Sequence, residues 1–335
     1  MQIRRERSQN FSLASLDETL WSNIATRMLV NTISHPIEYA KVLIQIGYEP
    51  VPPRPTTTLF GKPALALPNI FQYGKSRRTL IFFFFFLLAN NFPNLYIKSV
   101  DGFAGCYRGL VPKLCAYTVS AIAFEKTSES IIFDDEPDKQ KRCIYELMRD
   151  VISRVVGVIA SHPFEVIAVR AMAQFVGGET KYSGLFRSII EVYRENGISG
   201  YYTGIVPRLV ANVATLVMVS ASTYAINKYV IQDREMKVHT GSIMTFLCTT
   251  VTYPFYVVSH CMMVNNCGLV AGLPPQMPIY DNWLDCWTHL SSMNQLKRGS
   301  SMLWRYYTGP RNGSKGNSRD WRPIAIDKSK FKRLE

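Results

Sequence analysis

The chain has no stretch of eighteen uncharged, continuously apolar residues, the length at which a segment reads unaided as a membrane-spanning helix. It has no GxGxxG, P-loop, HExxH or nucleophile-elbow pattern either, so nucleotide chemistry, zinc proteolysis and serine hydrolysis lose their usual anchors and no enzyme is expected. Its seven cysteines are odd in number and include no CxxC pair, which argues against a disulfide framework and a zinc site. Cys248, Cys261 and Cys267 lie in or beside apolar segments, where a thiol is usually a small core residue. Asp281 and Asp285 lack the glycine and glutamate of a calcium loop, so neither metal nor cofactor is expected. Acids are scarce, 25 against 38 bases, for a net charge of +13. That balance suits an anionic membrane surface. The bases are scattered rather than gathered on one helix with aromatics between them, so nucleic acid is not an expected partner. The amino-terminal stretch to Arg7 holds three arginines, but Glu6, Asp17 and Glu18 spoil the acid-poor character of a presequence. There is no secretory apolar region, so targeting is expected to rest on internal segments.

What the chain does have is a decaying internal repeat. Pro36-Ile37-Glu38-Tyr39-Ala40-Lys41 carries an acid and a base three apart. Pro163-Phe164-Glu165-Val166-Ile167-Ala168 keeps the acid, and Pro254-Phe255-Tyr256-Val257-Val258-Ser259 keeps neither. The prolines lie 127 and 91 residues apart. Each is followed by a second landmark: Asp101-Gly102 then Tyr107-Arg108-Gly109-Leu110-Val111-Pro112-Lys113; Asn196-Gly197 then Tyr202-Thr203-Gly204-Ile205-Val206-Pro207-Arg208; Arg298-Gly299 then Trp304-Arg305. A period of about a hundred residues exceeds a solenoid unit and suits a helix pair with a long connection.

The 47% hydrophobic residues suffice for two soluble domains or one membrane bundle. Five long helices are read, over 16–47, 110–132, 144–177, 205–231 and 239–264, with prolines inside the first, third and fifth. Their polar residues suit membrane helices that face each other or a wet cavity; amphipathic helices of a soluble protein are the alternative. Short surface helices are expected within Tyr182–Gly200 and Trp283–Leu290, and residues 50–75 read as a proline-rich loop. The domain plan is a polar segment 1–15, repeats over 16–140 and 141–237, a degenerate repeat 238–308 and a polar tail 309–335. Nothing from Gly309 onward can cross a bilayer, so the sixth helix of a threefold plan is missing.

Pro36-x-Glu38-x-x-Lys41, followed by Asp101-Gly102 and Tyr107-Arg108-Gly109, resembles the repeat motif of the mitochondrial carrier family. Val264-Asn265-Asn266-Cys267-Gly268-Leu269, with Pro274-Pro275 and Asp285-Cys286-Trp287, resembles its divergent carrier-homolog branch. The resemblance implies an all-α integral membrane protein with a threefold pseudo-repeat bundle. Combined with the helix reading, that gives about five transmembrane helices. It further implies a multi-pass place in the mitochondrial outer membrane, insertion of α-helical tail-anchored proteins, and docking of the truncated death agonist Bid. A mitochondrial carrier for a small metabolite is the alternative, and a purely structural receptor a third reading.

In the carriers it resembles, Pro-x-acid-x-x-base on each odd-numbered helix sets three acids and three bases in a ring that closes one end of a cavity. Here the ring would hold Glu38, Lys41 and Glu165, with Ala168, Tyr256 and Ser259 where charges are missing. A Lys41–Glu165 pair is expected, and Arg170, two positions past the base site, is a candidate second partner for Glu165. On the even helices, Glu125 lacks its base at Ser128, and Lys228 lacks its acid at Ala225. Two broken gates and an absent sixth helix predict a hydrophilic groove open sideways to lipid. The candidates to line it are Lys41, Glu38, Glu165, Arg170, Arg208, Asn212, Tyr253, Tyr256 and His260. Arg208 is equally read as an interfacial cation that snorkels, His260 as a satisfied core histidine, and Tyr253 as an interface anchor.

Residues 76–95, with five consecutive phenylalanines from Phe82, fit no element of this plan. The apolar run within them, 79–88, is too short to span a membrane, and its β-propensity and lack of charge make it an aggregation hazard. Phenylalanine codons are pyrimidine-rich, and pyrimidine tracts precede splice acceptors, so a retained intron or gene-model error is expected, with a lipid-dipping loop as the alternative. Sequencing the transcript should show most copies without this stretch; an mRNA that encodes it in most copies contradicts the expectation.

Overall fold

Pro36, Pro163 and Pro254 each sit inside one unbroken helix: α1 (Gln2–Gln45), α3 (Lys139–Ala173) and α6 (Arg234–Val264). Proline removes one backbone donor and crowds the preceding turn, so such helices rely on tertiary packing. The computed structural model describes residues 2–49, 54–57, 63–67, 105–131, 139–229, 234–301 and 305–306. The expectations for 76–95, Asp101-Gly102 and 309–335 lie outside the described residues.

Between the proline-bearing helices run α2 (Leu110–Ser130) and α5 (Ile205–Tyr229). The short α4 (Leu185–Asn196), a 3-10 turn over Ile198–Tyr202 and α7 (Trp283–Ser292) lie on the surface at one end. The five long helices match the sequence reading, with shifted ends. The first begins at Gln2 rather than 16, and the third at Lys139, inside the stretch read as a charged linker. Among the described residues, three helical stretches are long and apolar enough to cross a bilayer: Lys141–Ala173, Ile198–Tyr229 and His239–Val264.

α2 lies antiparallel on α3, and α5 on α6. Gly157 of α3 packs on the Ser120 carbonyl of α2, and Thr215 of α5 bonds Thr252 of α6 at 2.7 Å. The dense core gathers beyond the prolines. There Tyr39 and Leu43, Val166 and Met172, Val257 and Met263 bury against Val192 of α4 and Leu290 of α7. Toward the other end apolar side chains turn outward: Trp21, Leu29, Val30 and Ile33 on α1; Ile243, Phe246, Leu247 and Val251 on α6. A surface that greasy suits acyl chains rather than water.

The proline-rich stretch is not all loop. β1 (Arg54–Thr57) pairs antiparallel with β2 (Pro63–Leu67), Arg54 opposite Ala66, and β2 pairs with β3 (Arg305–Tyr306), Leu67 opposite Arg305. Arg305, the remnant of the third landmark, is buried and ion-paired to Glu49 just past α1.

The repeat landmarks explain how the pieces close. Gly109 and Gly204 have φ of +78° and +74° and start α2 and α5. A Cβ on Gly109 would stand 2.8 Å from the Ala168 carbonyl, and one on Gly204 2.6 Å from that of Ser259. Each even helix thus begins pressed against the backbone of the next odd helix, at the position that carries Lys41 in the first repeat. The residue before each proline ties the junction. His35 Nε2 bonds the Arg108 carbonyl at 2.9 Å, His162 Nε2 that of Thr203 at 3.0 Å, and Tyr253 Oη that of Arg298 at 3.0 Å.

Gly204→Ala should cost about 1–3 kcal/mol, as left-handed strain plus a backbone clash. Gly241→Ala, inside α6 with nothing within 4 Å of its Cβ, should cost less. Thermal melting of both variants in detergent checks this; equal losses contradict the close-approach argument.

Candidate functional site

One turn into α2 from Gly109 stands Lys113, and one turn into α5 from Gly204 stands Arg208. The close approach of Gly109 to Ala168 sets Lys113 beside Glu165, three residues earlier on α3. Its ammonium bonds Glu165 Oε1 at 2.5 Å and Glu38 Oε1 at 2.8 Å. By the same geometry Arg208 starts opposite position 256, where the third repeat has tyrosine in place of an acid. Its guanidinium turns instead to Glu165 Oε2 at 3.5 Å. Arg208 also donates to Nδ1 of His162 at 3.2 Å, the ring nitrogen left free because Nε2 donates to Thr203. Two acids and two bases from four helices thus form one neutral cluster. Glu165 and Lys113 are buried within it, and pairing is what makes buried charge tolerable.

This corrects the ring expected from the sequence. Lys41 does not pair with Glu165: Lys113 holds that place, and Lys41 forms no ion pair among the described residues. Its ammonium lies over the Tyr253 ring, 5.2 Å from the centroid. Arg170 does not support Glu165 either. Five residues on, it points about 140° round the helix and about 7.5 Å along it. There its fully buried guanidinium donates to the Met263 carbonyl at 3.0 Å and to Asn196 Oδ1 at 3.0 Å, with Glu195 at 3.9 Å. Tyr182 donates to Glu195 at 2.5 Å, and Lys181 reaches Glu195 and the Gly268 carbonyl. Arg170 therefore fastens the second repeat to the third. Nearby, burial pushes the Cys267 thiol up to about 11, which marks an unreactive core cysteine.

Tyr253 and His260 belong to another brace. His260 Nδ1 donates to Gln45 Oε1 at 2.6 Å, Gln45 Nε2 donates to Tyr253 Oη at 2.9 Å, and Arg298 Nε returns to the Gln45 carbonyl at 2.5 Å. This loop joins α1 to α6, so Tyr253 is an internal tie and not an interface anchor. Tyr256 is half-buried on α6 and makes no hydrogen bond among the described residues.

Above the ion cluster lies an open cavity of about 390 Å³. Glu165, Arg208 and Asn212 form its floor, and Asn212 Nδ2 donates to the Arg208 carbonyl at 2.8 Å. Its walls include Asn23 and Arg27 of α1, Ser120 and Glu125 of α2, and Arg154 and Ser161 of α3. No residue of α6 lines it. Among the described residues, bonds between α1 and α6 join Lys41–Gln45 to Tyr253–Cys261, and on the α1 stretch before them Trp21, Leu29, Val30 and Ile33 stand exposed. Of the nine residues expected to line a groove, three reach this cavity. Glu38 lies in the ion cluster beneath it, and Lys41, Arg170, Tyr253 and His260 hold repeats together.

Lys113 lies outside the residues expected from the sequence, yet its signal is there: Gly-x-x-Pro-Lys at 109–113 and Gly-x-x-Pro-Arg at 204–208 put a base at the same repeat position. Arg27 and Arg154 had no such signal, since only the packing of helices shows which of many scattered bases share a cavity.

Residues 140–234 match the family model described as mitochondrial carrier protein. The chain is 36% identical over 291 residues to mitochondrial carrier homolog 2 of Mus musculus, covering 82% of this chain and 89% of the mouse protein. It is 33% identical over 310 residues to mitochondrial carrier homolog 1 of Mus musculus, covering 82% and 74%. A shorter likeness, 29% over 130 residues and about a third of each chain, is to nicotinamide adenine dinucleotide transporter 2, mitochondrial, of Arabidopsis thaliana.

Lys113→Met should destabilise the protein by about 3–5 kcal/mol, since it leaves two carboxylates facing each other without their shared base. Adding Glu165→Gln should recover part of that loss, as read by thermal melting in detergent. A single variant that melts with the parent contradicts the cluster's role.

Proposed function

Because this chain belongs to the mitochondrial carrier family, as a multi-pass membrane protein of mitochondria, we propose that it is an outer-membrane insertase of the carrier-homolog branch rather than a transporter. In this reading it has five membrane-crossing helices, and its clients are α-helical proteins anchored by a tail. The observation that carries the reading is a polar cavity flanked by an exposed apolar face of α1. Glu165, Arg208 and Asn212 floor the cavity, Asn23 and Arg27 of α1 line its wall, and Trp21, Leu29, Val30 and Ile33 of the same helix are exposed.

A tail-anchored segment must bring its polar end across the membrane. Each charge at the bilayer centre costs about 2.5–3.5 kcal/mol on insertion scales. Side chains such as Asn23, Ser120, Ser161 and Asn212 substitute for part of the lost hydration, while the apolar segment slides out past the exposed face of α1 into lipid. The ion cluster beneath keeps the passage from running through the protein. No covalent step is required. On the resemblance alone, the reading includes docking of truncated Bid.

One observation favours the carrier alternative: a cavity of about 390 Å³ is the size of a metabolite site. An alternating-access carrier also needs a second closable gate, and Ser128 and Ala225 leave the even helices without one.

Purified protein in liposomes should raise the protease-protected fraction of a tail-anchored client. Asn212→Leu, at unchanged protein level, should lower it several-fold. Solute flux should stay at the empty-liposome rate. Flux without client insertion contradicts the proposal.

A further inference from the structure

The walls of the cavity carry cations that the ion cluster does not use. Arg208 is committed to Glu165 and His162. Arg27 of α1 and Arg154 of α3 are exposed, line the same cavity, and form no ion pair among the described residues. Arg154 Cζ lies over the Phe124 ring, 5.1 Å from the centroid. A ring face takes up none of the five N–H donors of a guanidinium outright, so donors remain for an anion. Among the described residues Glu165 and Glu125 are the acids on the cavity wall, and Glu165 is neutralised by Lys113. Setting Glu125 against the two arginines leaves a surplus of one positive charge. Between these polar groups stand Ile24, Met28, Phe124 and Val158.

We propose that this cavity is a receptor for a single carboxylate at the end of an apolar chain, with Arg27 and Arg154 as its donors. The guanidinium fork matches a carboxylate with two parallel hydrogen bonds. The carboxyl terminus of a polypeptide is ionised at neutral pH. The surplus of one charge fits a monoanion better than a phosphate, and the apolar wall fits the side chains that precede a tail's last residue. The cavity is the size of a ligand site, too small for a folded partner. The proposal rests on the insertase reading only for the identity of the ligand as a client's tail.

The test uses the full chain in phosphatidylcholine nanodiscs. Its ligand is an apolar peptide of about 20 residues, with a photo-crosslinker beside its last residue and either a free acid or an amide at its end. The acid should crosslink at about tenfold lower concentration than the amide, the selectivity expected of one paired charge. In Arg27→Gln/Arg154→Gln the selectivity should fall close to one, and in Arg27→Lys/Arg154→Lys it should partly return. Equal capture of acid and amide, or selectivity that survives loss of both arginines, overturns the proposal. So does displacement of both peptides alike by phosphatidic acid, which would mark a lipid-headgroup site. Acid-selective capture without client insertion in liposomes supports this site and counts against the insertase reading alone.

Discussion

The shared base at Lys113 is the interaction on which the arrangement depends. A bilayer tolerates ions only in balanced groups, and at the acid and base positions of the repeat the proline helices by themselves are unbalanced: two acids, Glu38 and Glu165, against Lys41, which faces a tyrosine ring. Glycine at 109 lets α2 press on the α3 backbone, which delivers Lys113 between the two carboxylates. The second repeat repeats the manoeuvre with Gly204 and Arg208 but meets Tyr256 where an acid would stand, so Arg208 swings back to Glu165. Charges lost from the odd helices are thus replaced from the even ones. The cluster closes one end of the bundle and floors the cavity at the other.

The same logic accounts for what could be read before the structure. The two landmarks located every proline helix and the starts of α2 and α5, because positive-φ glycines and the proline after them are chemically distinctive. The cluster departs from the expected ring because a spacing of three within one helix is visible in a sequence, whereas proximity between helices is not. Lys41 obeyed the visible rule and sits elsewhere. Arg170 looked like a near miss for Glu165, yet a five-residue step turns it to a different neighbour. The strands near Pro55 and Pro63 were hidden by prolines, which are tolerated where a strand's donor is not needed. The cavity's arginines could not be singled out among 38 bases.

Two kinds of polar feature serve two purposes. Gln45, Tyr253, His260 and Arg298 tie the first repeat to the third, and Arg170 with Tyr182, Asn196 and Glu195 ties the second to the third. These networks gather on the core side of the ion cluster, among the buried residues. The cavity residues lie on the other side of the ion cluster, among helices whose apolar side chains turn outward. The protein is rigid at one end and open at the other, a division that suits a membrane device with one accessible face.

Closure at one end and access at the other can be measured by thiol labelling in proteoliposomes, with the native cysteines replaced and single cysteines placed at Ser120, Asn212 and Ser259. A membrane-impermeant reagent should modify the first two, on the cavity side of the cluster, and leave the third untouched, where it bonds the Gly204 carbonyl at 2.8 Å in the packed junction. Labelling at Ser259 comparable to that at Asn212, or protection of all three, would contradict a sealed floor beneath a wet cavity.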